Sequence, residues 1–347
     1  MGFVTGFCLD FKADCYSFAR NGKGVNRMAI FKLKPAFKDY LWGGTRLRDE
    51  YGKDCDYDKV AESWELSCHK DGASVVADGE FAGLTLEQYI EKAGRKVLGK
   101  NCERFENFPI LIKLIDAKDN LSVQVHPDND YAMRVEGEYG KTEMWYVVDC
   151  DEGAELLYGF KHEISKEEFA QRIADNTLLE VTNNVPVHKG DVFFIKSGTL
   201  HAIGKGILIA EIQQNSNTTY RIYDYGRVGK DGKPRELHVD KAKDVTKLAP
   251  AEQYPDTPVV SEDGAEKKLM AKCEYFTTYR VDVAEKAEFT ADESSFVSLL
   301  VLEGEPVVKA DGEVTAKKGD SIFISAGTGR FTVEGKCRFV LTRIDEV

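Results

Sequence analysis

No stretch of this 347-residue sequence is apolar for long enough to cross a membrane as a helix. Its most hydrophobic run, residues 108–115, is interrupted by Lys113 and falls far short of the ~20 residues such a helix needs. The eight cysteines form no C-x-x-C pair and no short secreted framework, which excludes a disulfide scaffold and suits a reducing, cytoplasmic location. Positive charge is in deficit: 47 Lys and Arg against 59 Asp and Glu leave a net charge of −12, so nucleic acid and anionic membranes are repelled on average. A phosphorylated metabolite in a local cationic pocket remains compatible with that envelope. The N-terminal Met-Gly lacks Ser or Thr at position 6, where Gly6 stands, and Asp10 and Lys12 interrupt any signal-type apolar region, so no targeting address is expected.

What is present is globular composition, 42% hydrophobic and 31% charged, which excludes collagen-like and wholly disordered chains. The length accommodates one barrel domain of ~200–250 residues or two domains. Residues 1–27 show no clean periodicity and read as an N-terminal extension, expected to be disordered, with patterned sequence starting at Met28. Thr85-Leu-Glu-Gln88 and Ser165-Lys-Glu-Glu168 read as capping boxes opening helices over 85–98 and 165–174. Most of the remainder reads as short strands, at 121–125, 144–148, 191–195, 207–212, 219–223, 275–283, 296–302, 321–325 and 338–344, separated by Gly-containing turns. This predicts a mainly β sandwich or barrel. An internal echo supports two related β units: Lys189-Gly190-Asp191, Phe194-Ile195 and Gly198-Thr199 recur as Lys318-Gly319-Asp320, Phe323-Ile324 and Gly327-Thr328. The first copy ends at His201, and its equivalent in the second is Arg330.

Histidine is scarce, with six residues, so placement is informative. Gln124 and His126 share one face of a strand-like run, where they can chelate together. Glu143 follows the Gly140-Lys141-Thr142 turn, and His201 ends the first repeat unit. Three such donors with an amide oxygen suit a divalent cation of borderline hardness. Each histidine alone reads equally as a turn residue bonded to backbone; His69, His162, His188 and His238 lack comparable partners and read as surface or structural. The polar run from Glu211 to Arg227 directly follows an apolar strand, which is expensive unless it faces a wet cavity or forms a solvated hairpin. Trp42-Gly43-Gly44 and Glu62-Ser63-Trp64-Glu65 read as rim loops or as packing.

Leu121-Ser-Val-Gln-Val-His-Pro127, Gly140-Lys-Thr-Glu-Met-Trp145, Gly198-Thr-Leu-His-Ala202 and Thr219-Tyr-Arg-Ile-Tyr-Asp224 resemble the short bacterial form of type I mannose-6-phosphate isomerase, a zinc-dependent cupin family. The Trp42 and Glu62–Glu65 stretches resemble it as well, and the likeness covers about residues 28–346. It implies two cupin-type (jelly-roll) barrels with a small helical insertion, a metal-binding catalytic domain over 28–240 and a metal-free cupin-like domain over 241–347. It further implies one zinc on Gln124, His126, Glu143 and His201, Arg221 as catalytic arginine, Lys141 and Glu211 as further catalytic candidates, and Ser122 and Trp42 on the substrate side. The partner is then a small phosphorylated sugar, and the reaction an aldose–ketose isomerisation through an enediol(ate). The first 27 residues precede the point where the family's chain normally begins. Two rival readings stay open: a non-catalytic cupin that binds a sugar or phosphate, and a cupin oxygenase using the same donors with iron.

Overall fold

The two helices read from capping boxes differ in how their first turns close. The structure, a computed structural model that describes residues 30–229 and 232–347, gives Thr85 the full reciprocal box: its hydroxyl accepts from the Gln88 N–H and the Gln88 side chain accepts from the Thr85 N–H. That helix runs Leu86–Ala93 and stops where Gly94 takes φ +87°, after which Arg95–Leu98 continues only as a 3₁₀ turn. Ser165 caps the Lys166–Ala174 helix by accepting from the Glu168 N–H, and the Glu168 carboxylate accepts from Arg172. The expectation for residues 1–27 lies outside the described residues.

All nine expected strands form, with ends shifted by a few residues, and the chain is mainly β. A six-stranded antiparallel sheet has the order Val192–Ile195, Glu143–Cys150, Ile207–Gln214, Ile110–Ala117, Glu62–Leu66 and Ala36–Lys38. It faces a five-stranded sheet ordered Thr182–Pro186, Glu155–Phe160, His201–Ala202, Val123–Val125 and Tyr220–Tyr223. Between them lies an apolar cluster containing Trp42, Ile115, Leu121, Trp145, Tyr158 and Ile209. Alternation sends Met144, Tyr146, Leu208 and Ala210 to the opposite face of the six-stranded sheet, where they join Phe31, Tyr89, Leu300 and Phe323 in a second core.

An eight-stranded and a four-stranded sheet enclose a third cluster, built on Val281, Leu299, Val301, Ile322, Phe331 and Phe339. The repeat in the sequence is a repeat in geometry. Gly190 and Gly319 donate to Val147 and Val301, both at 2.8 Å, and the N–H groups of Val147 and Val301 donate in return to Asp191 and Asp320. Both glycines have positive φ, 97° and 91°. The first described strand, Ile30–Lys34, pairs antiparallel with Ser321–Ile324 and so stands in the sheet built chiefly from C-terminal strands.

Candidate metal and substrate site

The candidate site forms because two facing sheets each contribute one row of polar side chains. In the five-stranded sheet, His201 lies opposite Gln124 and Gln124 lies opposite Arg221. In the six-stranded sheet the row reads Trp145, Glu211, Lys113 and Trp64, each opposite the next in register. One step along, Glu143 lies opposite Gln213. His126 follows the last residue of the Val123–Val125 strand.

His126, Glu143 and His201 are buried, and their ligand atoms all lie within 4.8 Å of one another. His126 Nε2 is 3.6 Å and His201 Nε2 3.3 Å from the Glu143 carboxylate. Each ring is fixed by backbone: His126 Nδ1 donates to the Thr218 carbonyl at 3.0 Å and His201 Nδ1 to the Thr199 carbonyl at 2.8 Å. A carbonyl only accepts, so Nδ1 carries the proton and the Nε2 lone pair of each neutral ring faces the carboxylate. Burial, reinforced by the Lys141 ammonium, pushes His201 down to about 3 and holds His126 well below its usual range, which keeps both in the neutral form. Glu143 Oε1 is buried and makes no hydrogen bond. A buried carboxylate with one orphaned oxygen, set beside two imidazole nitrogens, fits a divalent cation, for which bonds of ~2.0–2.2 Å put ligand atoms roughly 3–4.4 Å apart. Gln124 Nε2 lies 3.4 Å from His201 Nε2, and turning the amide over would present Oε1 at that place.

The turn carrying Lys141 and Glu143 has little freedom. A Cβ on Gly140 would come within 2.4 Å of the Asp128 backbone, and its N–H donates to Asn129 Oδ1. Thr142 N–H donates to Gln214 Oε1 at 2.8 Å. Lys141 Nζ contacts Glu143, sits 3.0 Å from His126 Nε2 and reaches Glu211 at 4.0 Å. Glu211 accepts from Trp145 Nε1 at 2.8 Å and pairs with Lys113 at 3.3 Å; Lys113 pairs in turn with Glu62 at 3.5 Å. Burial works to raise the Glu211 carboxyl, but Lys141 and Lys113 override it and hold Glu211 ionised; Glu143, with burial dominant, is shifted upward.

Arg221 donates from Nε to Ser122 Oγ at 3.3 Å and from Nη1 to the Glu236 carbonyl at 3.0 Å, so the expected catalytic and substrate-side residues touch. Trp42 is buried in the apolar cluster behind the site. Of the other histidines, His69 is buried against Trp64, His238 accepts the Arg221 N–H, and His162 and His188 are exposed. Sequence reasoning missed Lys113 and Glu62 as site residues, although Lys113 was visible as the one charge in the apolar run 108–115. It also passed over Arg235, whose signal is only its contact with Asp224 across a turn.

The chain is similar to known proteins along most of its length. The catalytic domain of type I phosphomannose isomerase matches residues 30–155, and the cupin domain of mannose-6-phosphate isomerase matches residues 265–344. The mannose-6-phosphate isomerase of Streptococcus mutans is 38% identical over 88% of this chain and 95% of its own length. Mannose-6-phosphate isomerase ManA of Bacillus subtilis is 37% identical over 90% of this chain and 98% of its own. A crystal structure of the mannose 6-phosphate isomerase from Bacillus subtilis superposes with a TM-score of 0.85 at 38% identity, covering 91% of this chain and all of that one. With that identity sustained along nearly the whole length of its relatives, the chain belongs to the type I mannose-6-phosphate isomerase family, a cupin-type family of aldose–ketose isomerases.

Proposed function

We propose that this chain interconverts mannose 6-phosphate and fructose 6-phosphate through a cis-enediol(ate), with one zinc ion held by Gln124, His126, Glu143 and His201. The observation that carries the reading is the buried His126–Glu143–His201 triangle, whose ligand atoms lie within 4.8 Å of one another and whose carboxylate keeps one oxygen, Oε1, without a hydrogen-bond partner. A bound zinc ion supplies a Lewis acid that stabilises negative charge on oxygen. The rest falls to side chains. Arg221, steadied by Ser122, is a fixed cation that can donate to the sugar oxygens as the C2 proton leaves and charge spreads over O1 and O2. Lys141 and Glu211 are the two candidates for proton transfer; Glu211, kept ionised between two lysines, has little affinity for a proton and suits the role of counter-ion, which favours Lys141 Nζ as the group that moves the proton. Trp42 backs the substrate side.

The architecture that supports this is read as two cupin-type barrels with a helical insertion, the facing six- and five-stranded sheets forming the first and the eight- and four-stranded sheets the second. We place the catalytic domain at 28–240, except for the Ile30–Lys34 and Val75–Val76 strands, which join the eight-stranded sheet, the metal-free one at 241–347, and the enzyme in the cytoplasm; among the described residues no helix is long and apolar enough to span a membrane. The test is metal analysis beside a coupled assay for fructose 6-phosphate. Zinc-dependent turnover of mannose 6-phosphate supports the reading, sugar-phosphate binding without turnover would replace it with a binding protein, and iron-dependent oxygen consumption would replace it with an oxygenase.

A further inference from the structure

Asp224, directly after the Tyr220–Tyr223 strand, is a buried carboxylate shared by two guanidinium groups. Arg235 grips both its oxygens, Nε to Oδ2 at 2.8 Å and Nη2 to Oδ1 at 2.6 Å. Arg227 reaches Oδ1 through Nη2 at 2.5 Å and donates from Nη1 to the Asn120 carbonyl, two residues before Ser122. The same carboxylate therefore ties the Arg235 segment to the strand of Arg221 and to the loop that delivers Ser122 and Gln124.

Charge is not balanced there. Among the described residues Arg221 makes no ion pair; its partners are the Ser122 hydroxyl and the Glu236 carbonyl. Three guanidiniums, Arg221, Arg227 and Arg235, thus stand near two carboxylates, buried Asp224 and exposed Glu236, a local excess of positive charge in a chain of net charge −12. Burial lowers the Arg221 pKa and the Arg235 charge lowers it further, so the clamped arginine is felt at the unclamped one. Arg227 and Arg235 keep 19% and 22% of their side chains exposed, whereas Asp224 keeps 6%, so the cations and not the anion face outward. Guanidiniums anchored beside a hydroxyl match a phosphate dianion in charge, and the Arg235 Nη1 group, which makes no hydrogen bond among the described residues, is left to donate to it.

We propose that Asp224 is a positioning residue and Arg235 a substrate-recognition residue: Asp224 holds Arg235 and Arg227 on the Arg221 side of the site, so that the joint charge of Arg235 and Arg227 receives the phosphate of the sugar phosphate while Arg221 stays free for the sugar oxygens. The inference rests on the proposed activity and adds residues to its site. Without the Asp224 carboxylate the arginines repel one another and lose their common anchor, so removing the anion weakens the binding of an anion.

The test uses the full-length zinc-loaded protein, with inorganic phosphate as probe in calorimetry and as competitive inhibitor of turnover. Arg235→Met should raise the KM for mannose 6-phosphate and the Ki for phosphate by about tenfold or more, the loss expected of one charge-assisted contact, while kcat falls by much less. Asp224→Asn should shift both constants in the same direction, and Asp224→Glu should recover part of the loss. A merely structural role would lower thermal stability or zinc content and leave KM and Ki in step with the parent. If Arg235→Met stays folded and zinc-loaded with both constants within twofold of the parent, the inference is overturned even though isomerisation proceeds. If phosphate binding is lost in Arg235→Met and the parent turns over no mannose 6-phosphate, the anion site stands and the proposed activity fails.

Discussion

Gln124 and His201 lie directly opposite each other in adjacent antiparallel strands, with Gln124 Nε2 3.4 Å from the lone-pair nitrogen of His201. This pairing sets the amide beside the candidate cation, and it separates the donors by strength. His201→Ala removes an imidazole fixed from behind by the Thr199 carbonyl and should abolish stoichiometric zinc while the fold persists. Gln124→Leu removes a weaker amide donor and should lower zinc affinity without abolishing stoichiometric binding. Zinc content after dialysis against graded chelator distinguishes the two; unchanged content in His201→Ala would contradict the assignment.

Arg221 is expected to act on charge that develops during the reaction. Arg221→Ala should keep zinc and lose about 10²–10³ in kcat, as for other fixed donors to a developing oxyanion. Steady-state kinetics beside metal analysis reads both. Near-normal kcat would remove the catalytic role, and loss of zinc would make Arg221 structural. In heavy water, proton transfer through an enediol should place deuterium at C2 of recovered mannose 6-phosphate, whereas a direct hydride shift would leave C2 unlabelled.

Lys113 is buried with Glu62 and Glu211 as its ion partners and Trp64 beneath it at 5.0 Å. Lys113→Met leaves two buried carboxylates without that cation and should cost roughly 3–5 kcal/mol of stability. The double variant Lys113→Met/Glu211→Gln should regain part of the stability in urea denaturation but not the turnover. Equal stability of Lys113→Met and the parent would show that the pair is not a structural tie.

Much of this site was legible in the sequence because its donors sit at local spacings: Gln124 and His126 two apart on a strand, and Glu143 after a turn in which only Gly140 fits. The expected strands were legible for the same reason, since alternation of period two is local. What was not legible is non-local. The Ile30–Lys34 strand pairs with a strand almost 300 residues later, and nothing near it in sequence announces that partner. Lys113 looked like an interruption of an apolar run; it is an inward-facing charge that becomes reasonable only once Glu211 and Glu62 arrive on neighbouring strands. Gly94 ended a helix that periodicity carried to residue 98, because its positive φ breaks the hydrogen-bond ladder before the apolar pattern fades.

The same strand pairing predicts how far the N-terminus can be shortened. A chain beginning at Met28 should keep folding and turnover, because the pairing of Ile30–Lys34 with Ser321–Ile324 and Val75–Val76 is retained. A chain beginning at Ala36 loses that strand, along with buried Phe31 and Leu33, and should aggregate or unfold at lower temperature. Size-exclusion chromatography and thermal melts of the two chains check this; loss of turnover at Met28 would make residues 1–27 part of the enzyme.

The second β unit should hold no metal of its own. Arg330, the counterpart of His201, is 81% exposed on its side chain and pairs with Glu288, and a guanidinium cannot ligate a cation. Among the described residues, the only cluster of His, Cys, Asp and Glu close enough to hold an ion is His126, Glu143 and His201. Tight zinc that survives His201→Ala would contradict this.

The central claim is that this buried His–Glu–His triangle holds the zinc on which sugar-phosphate isomerisation depends, and a zinc titration tests it most directly. Metal-stripped protein is titrated with zinc while fructose 6-phosphate formation from mannose 6-phosphate is followed. Turnover should start near zero and rise linearly to a plateau at one zinc per chain, and His201→Ala should stay flat over the same range. Full turnover in the metal-free protein, or a plateau reached equally by His201→Ala, would contradict the account.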